Sequence, residues 1–242
     1  MPGLDSFLLL SAAVFIGAFV SGLAGFAFSA VAGAILLHML QPLEAVPLMM
    51  ACSVGVQATN LWALRNSIRW KQSLVLILGG LLGVPLALWL LHNADARLFQ
   101  QVFGVTIALY AGYMLFKPAL GSVQHMSRSR TAIVGFGGGL IGGLTAMPGA
   151  LPTIWCEMHG LPKAEQRGLV QPFIAAMQVA SLAVMLARQD LSSRVIVDLA
   201  LSIPALLAGT ALGVFAFRRV NDALFRKLIL SILLLSGILL VL

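Results

Sequence analysis

The residues best suited to chemistry in this chain are few and mostly uncharged. Two stretches interrupt apolar runs with glycines and hydroxyls: Ser21-Gly22-Leu23-Ala24-Gly25 and Gly142-Gly143-Leu144-Thr145-Ala146-Met147-Pro148-Gly149. A break in a helix exposes free backbone N–H groups and the partial positive charge of a helix start, and together these hold anions. Glycine lets a ligand come close to the backbone. Ser21, Gly22, Gly25, Ser29, Gly139, Gly142, Gly143 and Thr145 are therefore candidate substrate-binding residues. The amides Gln57, Asn60, Gln171 and Gln178 lie within apolar segments and add donors without burying a charge. The same residues have a plainer use, because small residues pack helices closely in membranes and amides bond between helices.

Titratable groups are scarcer. His38 and His159 each follow one of the broken stretches, just before Pro42 and Pro162. Glu157 is an acid beside an apolar segment, and Arg167 is a cation placed to guard an inner mouth. These four are candidates for gating or for carrying a coupling proton; ordinary interfacial positions are the alternative. Cys52 and Cys156 stand alone in apolar segments and make neither a disulfide framework nor a zinc site. No Gly-x-Ser-x-Gly, His-Glu-x-x-His or ATP-binding P-loop occurs, so no enzyme, cofactor or metal is expected.

The elements that carry these residues belong in a membrane. Of 242 residues, 60% are hydrophobic and 10% charged, with a mean hydropathy of +1.00. A soluble domain carries about 25% charged residues. The net charge of +7 would suggest nucleic acid in a soluble protein, but here the basic residues fill short gaps between apolar runs, as cytoplasmic loops do. Nucleic acid is not an expected partner. The N-terminus lacks a basic run, so the first apolar stretch is expected to be retained rather than cleaved.

Six stretches read as plain crossings: Val46–Leu64, Ser73–Leu91, Leu98–Phe116, Leu169–Ala187, Val195–Phe217 and Ala223–Leu242. Each is long enough for about 30 Å of hydrocarbon. Phe7–Leu40 is too long for one helix, and Thr131–Gly160 is too rich in glycine and proline. Both suit re-entrant hairpins. Against this, Ala13, Gly17, Ser21, Gly25, Ser29 and Gly33 recur every fourth residue, as along one face of an unbroken helix.

The chain reads as one unit written twice. Gly83, Leu98 and Phe99 match Gly209, Leu224 and Phe225, and Gly22, Leu23 and Gly25 match Gly139, Leu140 and Gly142. The expected organisation is a first membrane repeat over 1–117, a cytoplasmic linker over 118–130 and a second repeat over 131–242. If each broken stretch crosses once, the basic residues divide almost evenly between the two sides. If each enters and leaves on one side, only Arg97, Arg188 and Arg194 lie outside. The second arrangement obeys the positive-inside rule and makes the halves inverted. The expected fold is thus an all-α polytopic membrane protein of two inverted repeats, each a broken helical hairpin plus three transmembrane helices. Inverted repeats with interrupted helices are an architecture of secondary transporters, whose substrate sits at the breaks.

The chain resembles the TauE/SafE sulfite exporter family, also called the TSUP permeases. The resemblance rests on Ser21-Gly22-Leu23-Ala24-Gly25-Phe26, Pro42-Leu43-Glu44-Ala45-Val46-Pro47 and the pattern from Trp70 to Gly83. In the second half it rests on Gly138-Gly139 through Pro148-Gly149 and on Gly160-Leu161-Pro162-Lys163. The chain departs from the family at Phe26-Ala27-Phe28-Ser29, where a glycine triplet is usual. The resemblance implies movement of sulfite, sulfoacetate or a related sulfur-containing anion, usually outward. An uncoupled monoanion leaves a negative cell interior downhill, by about 2.3 kcal/mol per 100 mV; import would need a coupled H+ or Na+. A multi-pass protein of the cell membrane is expected, and the bacterial inner membrane is its expected place. An anion channel on the same scaffold and a permease for carboxylates or other small anions are the alternatives.

Overall fold

The computed structural model describes residues 4–24, 27–65, 68–116, 127–217 and 222–241. Ten helices account for nearly all of them: α1 (Leu4–Ala24), α2 (Phe28–Leu36), α3 (Pro42–Leu64), α4 (Trp70–Asn93), α5 (Ala96–Phe116), α6 (Arg128–Thr145), α7 (Ala150–Met158), α8 (Lys163–Ala187), α9 (Ser193–Phe217) and α10 (Asp222–Val241). The order long, short, long, long, long occurs twice. Among the described residues, four helices are long and apolar enough to cross a membrane: α4, α5, and most of α8 and α9. Their outer faces carry exposed Leu78, Leu82, Leu109 and Leu207, and exposed Trp62, Trp70 and Trp89 sit near helix ends. Lipid-facing leucines with tryptophans at the two margins are what a bilayer selects. This is an all-helical, polytopic membrane protein.

Both broken stretches fold back on themselves. A Cβ on Gly17 of α1 would meet Ala32 Cβ at 3.0 Å and Phe28 O at 3.1 Å, so α2 runs back alongside α1. Gly17 thus sits on the inner seam of this hairpin, while Gly33 of α2 faces Phe103 and Met49, so the small residues spaced every four do not share one side of a continuous helix. In the second half, a Cβ on Gly138 would lie 3.0 Å from Pro148 O, and one on Gly137 would reach Leu151 at 2.6 Å, so α7 folds back on α6. Each short helix has 9 residues. That is about 14 Å at 1.5 Å per residue, half a bilayer.

Glycines set how closely the long helices approach. Gly79, Gly83 and Gly139 face the backbones of Ala132, Phe136 and Gly80, and Gly135 faces Leu76, along the parallel pair α4 and α6. Gly209 and Gly213 face Phe15 and Phe19 along the parallel pair α9 and α1. Here the small-residue ladder seen in the sequence is helix packing. α5 and α10 meet through Gly104 and Gly237.

Interactions at the helix starts fix the remaining directions. The start of α4 binds the start of α8: Arg69 pairs with Glu165 at 2.8 Å, and Ser73 Oγ donates to Leu169 O at 2.9 Å. The start of α9 binds the start of α3 through Arg194 and Glu44 at 3.7 Å. α3 therefore begins where α8 ends, and the two cross antiparallel through the core.

These contacts also correct the internal alignment. Gly22 lies against Thr210 and Gly213 of α9, as Gly143 lies against Val84 and Ala87 of α4. The counterpart of Gly22 is thus Gly143, not Gly139. Glycines at 135, 139 and 143 repeat every turn, and the sequence match slipped by one turn among them.

Candidate functional site

The two hairpin tips meet between α3 and α8. Ser21, Ala27, Phe28 and Ser29 of the first tip and Ala146, Met147, Pro148, Gly149, Ala150 and Thr153 of the second line one cavity. Ser53 and Gln57 from the middle of α3, Ile174 and Gln178 from the middle of α8, and Tyr110 from α5 complete it. The cavity measures about 50 Å³. One water-sized sphere needs about 10–15 Å³ by this measure, so there is room for about four.

Local sequence explains the tips. α6 ends at Ala146, whose φ of 57° is left-handed and whose N–H bonds Gly142 O at 2.8 Å. Pro148 then folds over Gly142, where any Cβ would strike it. In the first half Ala27 has φ 77° immediately before α2. Both short helices start without a side-chain cap, and their first residues, Phe28 with Ser29 and Ala150, are at the cavity. Two helix N-termini, each worth roughly half a positive charge, converge on one space. Among the described residues that line it Tyr110 alone is ionisable, so this lining carries no carboxylate, imidazole or cationic side chain.

Of the residues singled out from sequence, Ser21, Ser29, Gln57 and Gln178 line this cavity. Asn60 stands one turn behind, its Nδ2 donating to Gln57 Oε1 at 3.3 Å. Thr145 gives its hydroxyl to Ile141 O at 2.7 Å. Gln171 is buried in α8 outside the lining. Gly142 shapes the tip. Gly22, Gly139 and Gly143 are close-packing positions against α9 and α4 instead of ligand contacts, because a neighbouring helix occupies the space a substrate would need. Gly25 lies outside the described residues.

The four gating or coupling candidates lie away from the cavity. His38 is exposed in the turn after α2. His159 is buried, its ring 4.0 Å from that of Trp155 and its Nδ1 2.9 Å from Trp155 O. Glu157 is half-buried near the end of α7, and Arg167 is half-buried in the first turns of α8. A larger groove of about 590 Å³ carries Lys71 and Arg128, but it lies at the helix starts, remote from both tips.

Sequence reasoning missed Ser53, Tyr110 and Thr153. Ser53 had a signal, since it precedes Gln57 by four residues and shares its face of α3. Gln178 Nε2 donates to Ser53 Oγ at 2.7 Å and ties the two crossing helices together at the cavity.

The family model for the sulfite exporter TauE/SafE matches residues 9–240. The chain belongs to the TauE/SafE family. Its match spans both hairpins and all the long helices, so the whole fold is covered by the family and not the tips alone. No curated protein and no solved structure matches the chain. TauE/SafE proteins are sulfite exporters, membrane transporters rather than enzymes. A small anion and the lipid bilayer are accordingly the partners of this TauE/SafE chain.

Proposed function

We propose that this protein is a secondary carrier of a small sulfur oxyanion, sulfite foremost, held between the two hairpin tips and moved outward across the bacterial inner membrane. The observation that carries this reading is the convergence of two uncapped helix starts on one neutral-walled cavity. Together they supply roughly one positive charge, which suits sulfite in its singly charged, protonated form. A side-chain cation would hold a dianion more firmly and release it more slowly. Room for about four water-sized spheres suits a four-atom oxyanion better than sulfoacetate or another organosulfonate.

Two inverted repeats supply the means of movement. Support comes from the antiparallel crossing of α3 and α8 and from the matching hairpins. Further support comes from the exchange of partners: α1 packs on α9 as α6 packs on α4. On this reading the end bearing Arg65, Arg69, Lys71, Arg128 and Arg130 is cytoplasmic. Ser21, Ser29, Gln57 and Gln178 contact the anion, while Gly142 and the αL residues Ala27 and Ala146 shape its seat. Outward movement of a monoanion needs no coupled H+ or Na+.

Counterflow in proteoliposomes tests the proposal. Internal unlabelled sulfite should accelerate uptake of labelled sulfite, and uptake should saturate. Flux without counterflow would indicate a channel, and a response to carboxylates but not to sulfur oxyanions would overturn the substrate.

A further inference from the structure

The two halves place the same amide at equivalent points and then treat it differently. Gln57 of α3 and Gln178 of α8 are both 121 positions apart in the register that relates Gly22 to Gly143 and Glu44 to Glu165. Both line the cavity. Gln57 Oε1 accepts from Asn60 Nδ2 at 3.3 Å. The residue equivalent to Asn60 is Ser181, whose shorter side chain makes no such bond: Ser181 Oγ and Gln178 Oε1 are both buried without a partner among the described residues. The Gln178 amide is also oriented, because its Nε2 is committed to Ser53 Oγ. A buried acceptor at a cavity wall, 2% exposed and otherwise unsatisfied, costs stability until a donor reaches it.

We propose that Gln178 Oε1 is the receptor for a proton carried by the substrate, so that the cavity selects a hydrogen-bearing oxyanion, such as hydrogen sulfite, over anions that have no O–H. This rests on the anion-site reading above. The helix starts and hydroxyls bind the anion's bare oxygens, while its O–H donates to the amide oxygen. Nitrate and methanesulfonate have the charge and a similar triangle of oxygens but no proton to donate.

Titration calorimetry on the purified full-length protein at mildly acidic pH tests this. Hydrogen sulfite should bind about tenfold more tightly than nitrate or methanesulfonate, the worth of one hydrogen bond to a charged partner. Gln178→Met should abolish that preference, bringing the affinity for hydrogen sulfite down to that for nitrate and methanesulfonate. Should Gln178→Met not fold, Ser53→Ala serves instead: it frees the amide to turn its N–H inward and should likewise erase the preference. Equal affinity for all three anions in the unaltered protein, or a preference that survives both substitutions, would overturn the inference alone. Failure of every anion to bind removes the carrier reading, and the inference with it.

Discussion

At the scale of single residues, the site is built by what the chain leaves out. On the proposed reading, anion affinity rests on backbone N–H groups held in place by two alanines with left-handed dihedrals, since the described residues of the lining include no cation. A left-handed alanine carries strain of order 1–3 kcal/mol, which glycine would relieve at the expense of unfolded-state entropy. Ala146→Gly should therefore change the unfolding temperature in detergent very little. Ala146→Val places a β-branched side chain at a positive φ in a buried position and should destabilise by at least about 2 kcal/mol. Equal stability of the two variants would show that this backbone conformation is not maintained. Ser29→Ala should weaken sulfite binding several-fold without altering stability, since Ser29 lines the cavity at an uncapped helix start. The amides and serines were readable from sequence because polar groups are rare in these apolar runs. Tyr110 and Thr153 were not, because only the packing of α5 and the return of α7 bring them to the same space. Thr145 shows the converse: its type suggested binding, but an i−4 carbonyl takes its hydroxyl.

At the scale of elements, glycine has two separate uses that sequence alone runs together. One is to fold a tip, as at Gly142. The other is to let backbones touch, as at Gly79, Gly83 and Gly139. Hydropathy and spacing disclosed the helices and the interruptions, since apolar length and glycine content act locally. The alignment of α1 with α6 was off by one turn, since a ladder repeating every four residues matches itself at several registers and only the partner helix selects one. The same distinction orders the outcome of substitutions. Gly139→Ala places a methyl group on the Gly80 backbone, which cannot rotate away, and should cost about 1–3 kcal/mol by overpacking. Gly112→Ala meets only Leu234 Cδ1 at 3.8 Å and should stabilise α5 by up to about 1 kcal/mol, the helix-propensity gain over glycine. Thermal unfolding of the two purified variants checks both signs; a destabilised Gly112→Ala with an unaffected Gly139→Ala would refute the assignment of their roles.

At the scale of the whole molecule, the proposed inverted repeat relates what one half does at one end to what the other does at the opposite end. The pairs Arg69–Glu165 and Arg194–Glu44 clasp α4 to α8 and α9 to α3 at opposite ends of the molecule. Arg69 and Glu165 are each about 40% exposed, and such pairs contribute about 0–1 kcal/mol. Glu165→Gln should thus lower stability by less than about 1 kcal/mol. The pairs matter more as markers of direction. If the halves are inverted, the α3–α4 turn and the start of α6 share the cytoplasmic side, while the α4–α5 and α8–α9 turns share the outer side. The alternative, with each broken stretch crossing once, changes the number of passes between these points and moves some of them across the bilayer. Single cysteines separate the two in a background where Cys52 and Cys156, both buried in the core, are replaced by alanine. A membrane-impermeant maleimide should label Arg97→Cys and Arg188→Cys on intact cells, and Arg65→Cys and Arg128→Cys only after permeabilisation. Labelling of Arg128→Cys together with Arg97→Cys on intact cells would place the start of α6 outside. The second hairpin would then open to the wrong side, and the two helix starts would no longer face a cavity approached from opposite ends.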